Sequence, residues 1–300
     1  MLSKEELIQI MGTFFLDVLN GPVQNHQFNP LAEGFSQLVY EVDERYVLRV
    51  PKSKEAIVNM QNGLQIDRWL QMQNITWTYP RPLLMKSILE PYPMLMLERI
   101  KGKSPSHVNP SIRAESAERL AILLRSLHEC DPTDFVKLGI DRPRYQRMER
   151  DTLINDTKKR LDDARAKKWL TLQEWNRVES FLAQFEKCAD LDDRKVVVHG
   201  DFHPLNFLVD AEGEICAVID WDDAHLSHPA VDLSIVYTWF PSAARERFWL
   251  EYGVQDEVTK CWARMTGIYI AIHVLWAAVL LKDQERESFA RQMLRDGVSE

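Results

Sequence analysis

The sequence predicts an α+β chain of two unequal lobes: a small N-terminal lobe with an antiparallel sheet, residues 1–101, and a larger, mostly helical C-terminal lobe, residues 102–300. Two observations carry that expectation. Short β-branched and aromatic runs joined by turn residues, Leu38-Val39-Tyr40-Glu41-Val42 and Tyr46-Val47-Leu48-Arg49-Val50-Pro51, fall early in the chain. Helical spacing of apolar residues dominates from residue 111 onward, with no internal repeat or low-complexity linker between the two regions.

Taken in order, Ser3 with Glu6 three residues on is a helix start. Leu7, Ile10, Met11, Phe14, Phe15 and Val18 continue it at helical spacing until Asn20-Gly21-Pro22 stops it. After the strands, a helix is expected over about 54–72. Another is expected over 111–129, ending Leu127-His128. The 145–187 region reads as charged helix carrying Trp169 and Trp175, and 242–294 as a last set of helices punctuated by Gly253 and Gly267. Gly102-Lys103-Ser104 is not a P-loop: Leu97 stands where its first glycine belongs, and Pro105 interrupts the helix that should follow.

The apolar fraction of 45% suffices for a buried core, and 27% charged residues is ordinary for a soluble chain. A formal charge of −8 argues against a nucleic-acid partner, which wants a basic face. The four cysteines are scattered without a C-x-x-C pair, so neither a disulfide framework nor a thiolate metal site is expected, and a cytoplasmic location fits best. Glu5 and Glu6 replace the apolar core of a signal peptide. Residues 265–281 lack Asp, Glu, Lys and Arg. At slightly under the ~20 residues that span a bilayer, they read as a buried helix rather than a membrane anchor.

One stretch organises the rest: Val196-Val197-Val198-His199-Gly200-Asp201-Phe202-His203-Pro204-Leu205-Asn206-Phe207-Leu208-Val209-Asp210. A β-branched run enters it, an apolar run leaves it, and the turn between holds residues that active sites need and strands do not. Asp201 and Asn206 are five apart, the spacing of the Asp and Asn in the kinase catalytic loop H-R-D-x-x-x-x-N. Gly213 supplies a hairpin turn into Ile215-Cys216-Ala217-Val218-Ile219, which Asp220 closes, so Asp220 is expected beside the catalytic turn. Alone, Asp or Asn favours turns for its own sake. Three linked motifs in order say more: His-Gly-Asp-x-His-Pro-x-Asn, then Ile219-Asp220-Trp221, then His228-Pro229-x-x-Asp232-Leu233. Together they resemble the aminoglycoside phosphotransferase family, small-molecule kinases with a protein-kinase-like fold.

The resemblance implies transfer of the γ-phosphoryl group of ATP or GTP to a small-molecule hydroxyl, with Mg²⁺. It assigns Asp201 as the group that orients the acceptor hydroxyl and takes its proton, and Asn206 and Asp220 as Mg²⁺ ligands. His199 would buttress the loop, His128 would be structural, and the second Asp element, Asp232, would brace the loop. There His228-Pro229 replaces the usual Asp-Pro. In the N-terminal, nucleotide-binding lobe, Gly34 and Ser36 would approach the phosphates. Leu97 would be the gatekeeper, with the Glu98 carbonyl and Ile100 amide facing the base. Arg49 stands where the family has Lys, and Arg is not a neutral replacement. Lys52 is a second phosphate candidate. Gly63 stands where a pairing Glu is expected, which leaves Asp67 or Glu55 for that role.

The implied partner is a small-molecule acceptor, a cationic antibiotic of the aminoglycoside type, taken up by a monomer. Asp162, Asp163, Glu174, Asp222, Asp223, Glu246 and Glu251 lie in regions that would line its cleft. Macrolide kinases share the architecture, and the aromatic C-terminal helices would suit them, although they typically carry His where Asn206 stands. Metabolic kinases of the homoserine and choline type are a further alternative. The substitutions at Arg49 and Gly63 leave open a nucleotide-binding pseudo-kinase.

Overall fold

The computed structural model describes residues 26–33, 36–73, 78–79, 82–89, 92–105, 108–139 and 148–299. The helix expected from Ser3 and the glycine of the predicted phosphate turn, Gly34, lie outside these residues. The chain divides into two compact units at Lys101–Gly102. One carries an antiparallel sheet and the other is mostly helical, the two-lobed kinase-like architecture that the sequence predicts.

In the first unit, strands β1 (Phe28–Glu33), β2 (Gln37–Val42), β3 (Tyr46–Pro51), β4 (Pro82–Leu89) and β5 (Tyr92–Glu98) form one sheet in the order β1-β2-β3-β5-β4, antiparallel throughout. Alternation sets its faces: Leu38, Tyr40, Val42, Leu48 and Val50 are buried, as period-2 side chains on one covered face must be. Helix α1 (Lys54–Met72) starts where the Ser53 hydroxyl accepts the Ala56 amide at 3.2 Å. It covers the sheet through Met60, which packs with Leu95 and Leu97 and with the half-buried Val47 and Leu64. Each such fully buried side chain contributes about 1.5–3 kcal/mol, so this helix is held by its face rather than by propensity.

In the second unit the predicted 111–129 helix is broken. Helix α2 (Pro110–Glu115) ends at Ser116, whose hydroxyl donates to the Arg113 carbonyl at 2.7 Å, and α3 (Ala117–His128) resumes immediately. A competing side-chain bond of this kind lets serine interrupt a helix that apolar spacing alone would continue. Then follow α4 (Thr133–Lys137), α5 (Arg150–Ala166) and α6 (Leu172–Phe185), the last opened by a Thr171/Glu174 capping box.

Two small antiparallel pairs come next: β6 (Val196–Val198) with β9 (His225–Ser227), and β7 (Phe207–Val209) with β8 (Ile215–Val218). Gly213, at φ +87°, makes the expected turn between β7 and β8. Helices α7 (Ala230–Leu233), α8 (Ile235–Thr238), α9 (Ser242–Tyr252), α10 (Glu257–Leu281) and α11 (Gln284–Val298) complete the unit.

Helix α10 is the spine of the helical unit, packed against α5, α6, α7, α8 and α11. By length and composition alone it is the one helix among the described residues able to cross a membrane, yet 56% of its most apolar window is buried in this packing. Gly253 ends α9 at φ +110°, as expected. Gly267, expected to punctuate, lies inside α10 instead. A Cβ there would sit 3.1 Å from the Ser234 carbonyl and 3.2 Å from Thr238, so the glycine permits close helix crossing rather than marking a break.

Candidate active site

Strand β6 delivers the chain into a turn whose shape Asp232 dictates. Fully buried at the start of the helical segment α7, Asp232 accepts the His199 amide at 2.7 Å (Oδ2) and the Gly200 amide at 3.0 Å (Oδ1). Gly200 takes φ +83°, and a Cβ there would fall 2.1 Å from the Asp223 carbonyl oxygen. Only glycine fits this position, both for its conformation and for its space.

His199, also fully buried, ties the turn to the β7–β8 hairpin. Its Nε2 donates to the Ile219 carbonyl at 3.0 Å, and its Nδ1 accepts the Asp201 amide at 3.3 Å. The ring is packed by Trp221, with centroids 4.6 Å apart, and by Phe202 at 5.5 Å. One imidazole therefore spans from the residue before Asp220 to the backbone of Asp201.

A 3-10 turn, Pro204–Asn206, brings Asn206 back over Asp201. The Asn206 Nδ2 donates to the Asp201 carbonyl at 2.8 Å and to its Oδ2 at 3.1 Å. His203 joins them: its Nε2 lies 3.3 Å from the same Oδ2 and 3.4 Å from Asn206 Nδ2. The Asn206 carbonyl accepts the Ile219 amide at 2.9 Å, and Phe207 pairs with Val218. The hairpin thus places Asp220 at the same end as Asn206. Asp220 itself sits at φ 63°, ψ 58°, a left-handed conformation for a non-glycine residue just before the 3-10 turn Trp221–Asp223. Such strain collects at functional sites. The backbone connections thus bring Asp201, Asn206 and Asp220 to one end of the β7–β8 hairpin.

His228 is the departure from Asp-Pro. Its Nδ1 accepts the Ala230 amide at 3.2 Å, capping α7, while Nε2 lies 3.2 Å from Asp192 Oδ1. Burial, and next the Arg194 charge, lower its pKa, which keeps Nδ1 available as an acceptor.

In the sheet unit, Ser36 and Lys52 are neighbours, since the Ser36 carbonyl accepts the Lys52 amide at 2.8 Å. Arg49 lies opposite Val39 and Leu95, and its Nε donates to the buried Gln37 side chain. Leu97 belongs to the core cluster with Met60, Glu98 is exposed at the end of β5, and Ile100 is half-buried two residues on. Asp67 is buried on α1 and accepts Gln71 Nε2 at 2.7 Å, whereas Glu55 is exposed in its first turn.

The profile of the family described as the phosphotransferase enzyme family (APH) matches residues 27–268. The chain belongs to this family. Its sequence is 26% identical over 306 residues to the uncharacterized protein YcbJ of Bacillus subtilis (strain 168), covering 95% of this chain and 94% of that protein. Among solved structures, the fold is similar to the GDP complex of aminoglycoside 2'-phosphotransferase-IIIa, with TM-score 0.69, 15% identity and 99% of each chain covered. It is also similar to macrolide 2'-phosphotransferase type I, with TM-score 0.59, 17% identity and 98% of each chain covered.

Within this phosphotransferase, two of the acids expected to line an acceptor cleft are already engaged. Glu174 closes its capping box and lies 3.7 Å from Arg291 and 3.5 Å from Arg295. Glu251 is held by Arg125 at 3.1 Å. Sequence reasoning also missed His203 as a neighbour of Asp201, although it stands inside the motif, and missed Tyr252, which carries no motif at all.

Proposed function

We propose that the chain transfers the γ-phosphoryl group of ATP or GTP to a hydroxyl of a small molecule, with an aminoglycoside-type antibiotic as the first acceptor class. The observation that carries this reading is the doubly donated Asn206–Asp201 clamp at the end of the hairpin that bears Asp220. Asp201 orients the acceptor hydroxyl and takes its proton. The acceptor oxygen attacks the γ-phosphorus, the bond to the β–γ bridging oxygen breaks, and the nucleoside diphosphate leaves. Such a transition state is loose, so positioning and charge neutralisation supply most of the acceleration. Ser36, Arg49 and Lys52, with Gly34, hold the phosphates in this reading, and Leu97, Glu98 and Ile100 accommodate the base.

The residues fit Mg²⁺. With its Nδ2 committed to Asp201, Asn206 turns Oδ1 the other way, and Asp220 adds a carboxylate; both are hard oxygen donors. No group of three or more His, Cys, Asp or Glu is gathered for a metal among the described residues. That suits an ion whose remaining ligands are phosphate oxygens and water. When bound, Mg²⁺ neutralises charge on the phosphates.

Aminoglycosides lead because the similar aminoglycoside 2'-phosphotransferase structure superposes at TM-score 0.69 against 0.59 for the macrolide 2'-phosphotransferase, and because macrolide kinases typically carry His where Asn206 stands. The test is nucleotide consumption with Mg²⁺ and ATP or GTP against aminoglycosides, macrolides and small metabolic alcohols. Turnover dependent on an aminoglycoside is expected. Turnover with a macrolide or metabolic alcohol alone would reassign the acceptor, and nucleotide binding without turnover for any of them would make the chain a binding module.

A further inference from the structure

The catalytic turn is reached by a chain of hydrogen bonds that begins outside every motif. The Tyr252 hydroxyl lies 2.7 Å from His128 Nδ1, and His128 Nε2 lies 3.3 Å from Asp232 Oδ2. That same oxygen accepts the His199 amide. Tyr252 is fixed at the end of α9 by stacking on Phe248, with rings 5.7 Å apart at 14°, and by an edge contact with the His128 ring. Burial, then the charge of Asp232, push the Tyr252 phenol well above its ordinary range, so it stays a proton donor. A phenol that donates to Nδ1 leaves the imidazole proton on Nε2, where Asp232 needs it. The other tautomer would turn a lone pair toward the carboxylate.

We infer that Tyr252 and His128 are positioning residues of the phosphotransfer site, holding the His199–Gly200 turn in place through Asp232. The inference rests on Asp201 acting as the group that takes the acceptor proton. Both amides of the turn donate to the Asp232 carboxylate, and a tautomer change at His128 alters what that carboxylate faces. Displacement of Gly200 displaces Asp201, its neighbour. Because α3 and α9 are separately tied by Arg125, which donates to the Glu251 carbonyl at 2.6 Å, removal of the Tyr252 hydroxyl leaves the two helices joined.

The experiment compares Tyr252→Phe, His128→Leu and His128→Gln in the full chain. Tyr252→Phe is expected to lower kcat about tenfold while KM for the nucleotide stays within about twofold, the loss of one buried hydrogen bond converted to rate, and His128→Leu, which removes two, is expected to lower kcat at least as far with KM likewise held. His128→Gln, which can present an amide donor to Asp232, is expected to recover most of kcat. Nitrogen-detected NMR is expected to show the Nε2–H tautomer of His128 in the parent. The His199 and Gly200 amide resonances are expected to move in Tyr252→Phe. Unchanged kcat in all three variants overturns the inference, as does a kcat loss matched by an equal loss of nucleotide affinity. Should the parent prove inactive on every acceptor, the functional reading fails and the amide resonances decide alone: movement in Tyr252→Phe supports the chain of bonds, and stationary resonances overturn it.

Discussion

Asn206 donates twice to Asp201, once to its carbonyl at 2.8 Å and once to its carboxylate at 3.1 Å. The backbone and the reactive group of Asp201 are thereby set by one amide, and that amide's oxygen is the atom assigned to Mg²⁺. Asp201→Ala is expected to lower kcat by about 10²–10⁴-fold, the usual contribution of a positioned base, with nucleotide affinity nearly unchanged. Asn206→Ala removes both the clamp and an oxygen donor, so kcat and Mg²⁺ affinity fall together. Single-turnover kinetics beside nucleotide titration separates the two. Full turnover in Asp201→Ala removes Asp201 as the proton acceptor.

Gly200 gives a sharper structural prediction. A methyl group there would meet the Asp223 carbonyl at 2.1 Å, and φ +83° is unfavourable for any Cβ. Gly200→Ala is expected to cost about 1–2 kcal/mol for the conformation and about 1–3 more for the overlap, read as a lower denaturation midpoint. Gly213→Ala serves as the control. Its φ of +87° carries the same backbone cost, but the nearest atom is a flexible Ile112 methyl at 3.2 Å. Equal losses at both positions would mean that the Asp223 contact is not felt.

Much of the fold and the order of the catalytic turn were legible because they depend on local chemistry. Alternation marked β2 and β3, and periodicity marked α1. Residue spacing placed Asp201, Asn206 and Asp220 on one hairpin end. What the sequence hid depends on contacts between distant segments. Gly267 reads as a helix breaker until Ser234 is seen lying against it, and Ser116 reads as an ordinary helical residue until its hydroxyl is seen on Arg113. Glu174 and Glu251 read as free acids because their arginines lie 117 and 126 residues away in sequence. Tyr252 had no signal: its hydroxyl matters only because His128 and Asp232 lie beyond it.

Acid stability should carry the signature of Asp256. This residue caps α10, accepting the Thr259 amide and hydroxyl, each at 2.8 Å, and those bonds lower its pKa from 3.8 to about 2. The folded value lies below the unfolded one, so its stabilisation is complete above the unfolded pKa and is lost as pH falls from about 4 towards 2. Asp256→Asn retains a cap while removing the titration. It is expected to unfold with a flatter pH dependence over that window, whereas Asp256→Ala loses about 1 kcal/mol at neutral pH. Denaturant midpoints at successive pH values check both, and an unaltered slope in Asp256→Asn would assign the acid sensitivity elsewhere.

The end of α11 is held by arginines from three other helices, Arg113 and Arg245 buried and Arg264 half-buried. Arg245 donates to the carbonyls of Asp296 and Ser299, Arg264 to that of Gly297, and Arg113 to the Asp296 carboxylate at 2.9 Å. Removal of Arg245 takes a charged donor from the Asp296 and Ser299 carbonyls, which keep only the Ser299 hydroxyl and amide and the Arg264 guanidinium, and a hydrogen bond to a charged group contributes about 1.5–3 kcal/mol. Arg245→Leu is therefore expected to destabilise by roughly 3 kcal/mol. Arg245→Lys should recover only part, because one ammonium cannot reproduce a planar fork that reaches Asp296 and Ser299 together. Since α11 packs along the spine helix α10, the loss should appear first as increased amide exchange in α11. Global unfolding without local exchange would show instead that the clamp and the spine come apart together.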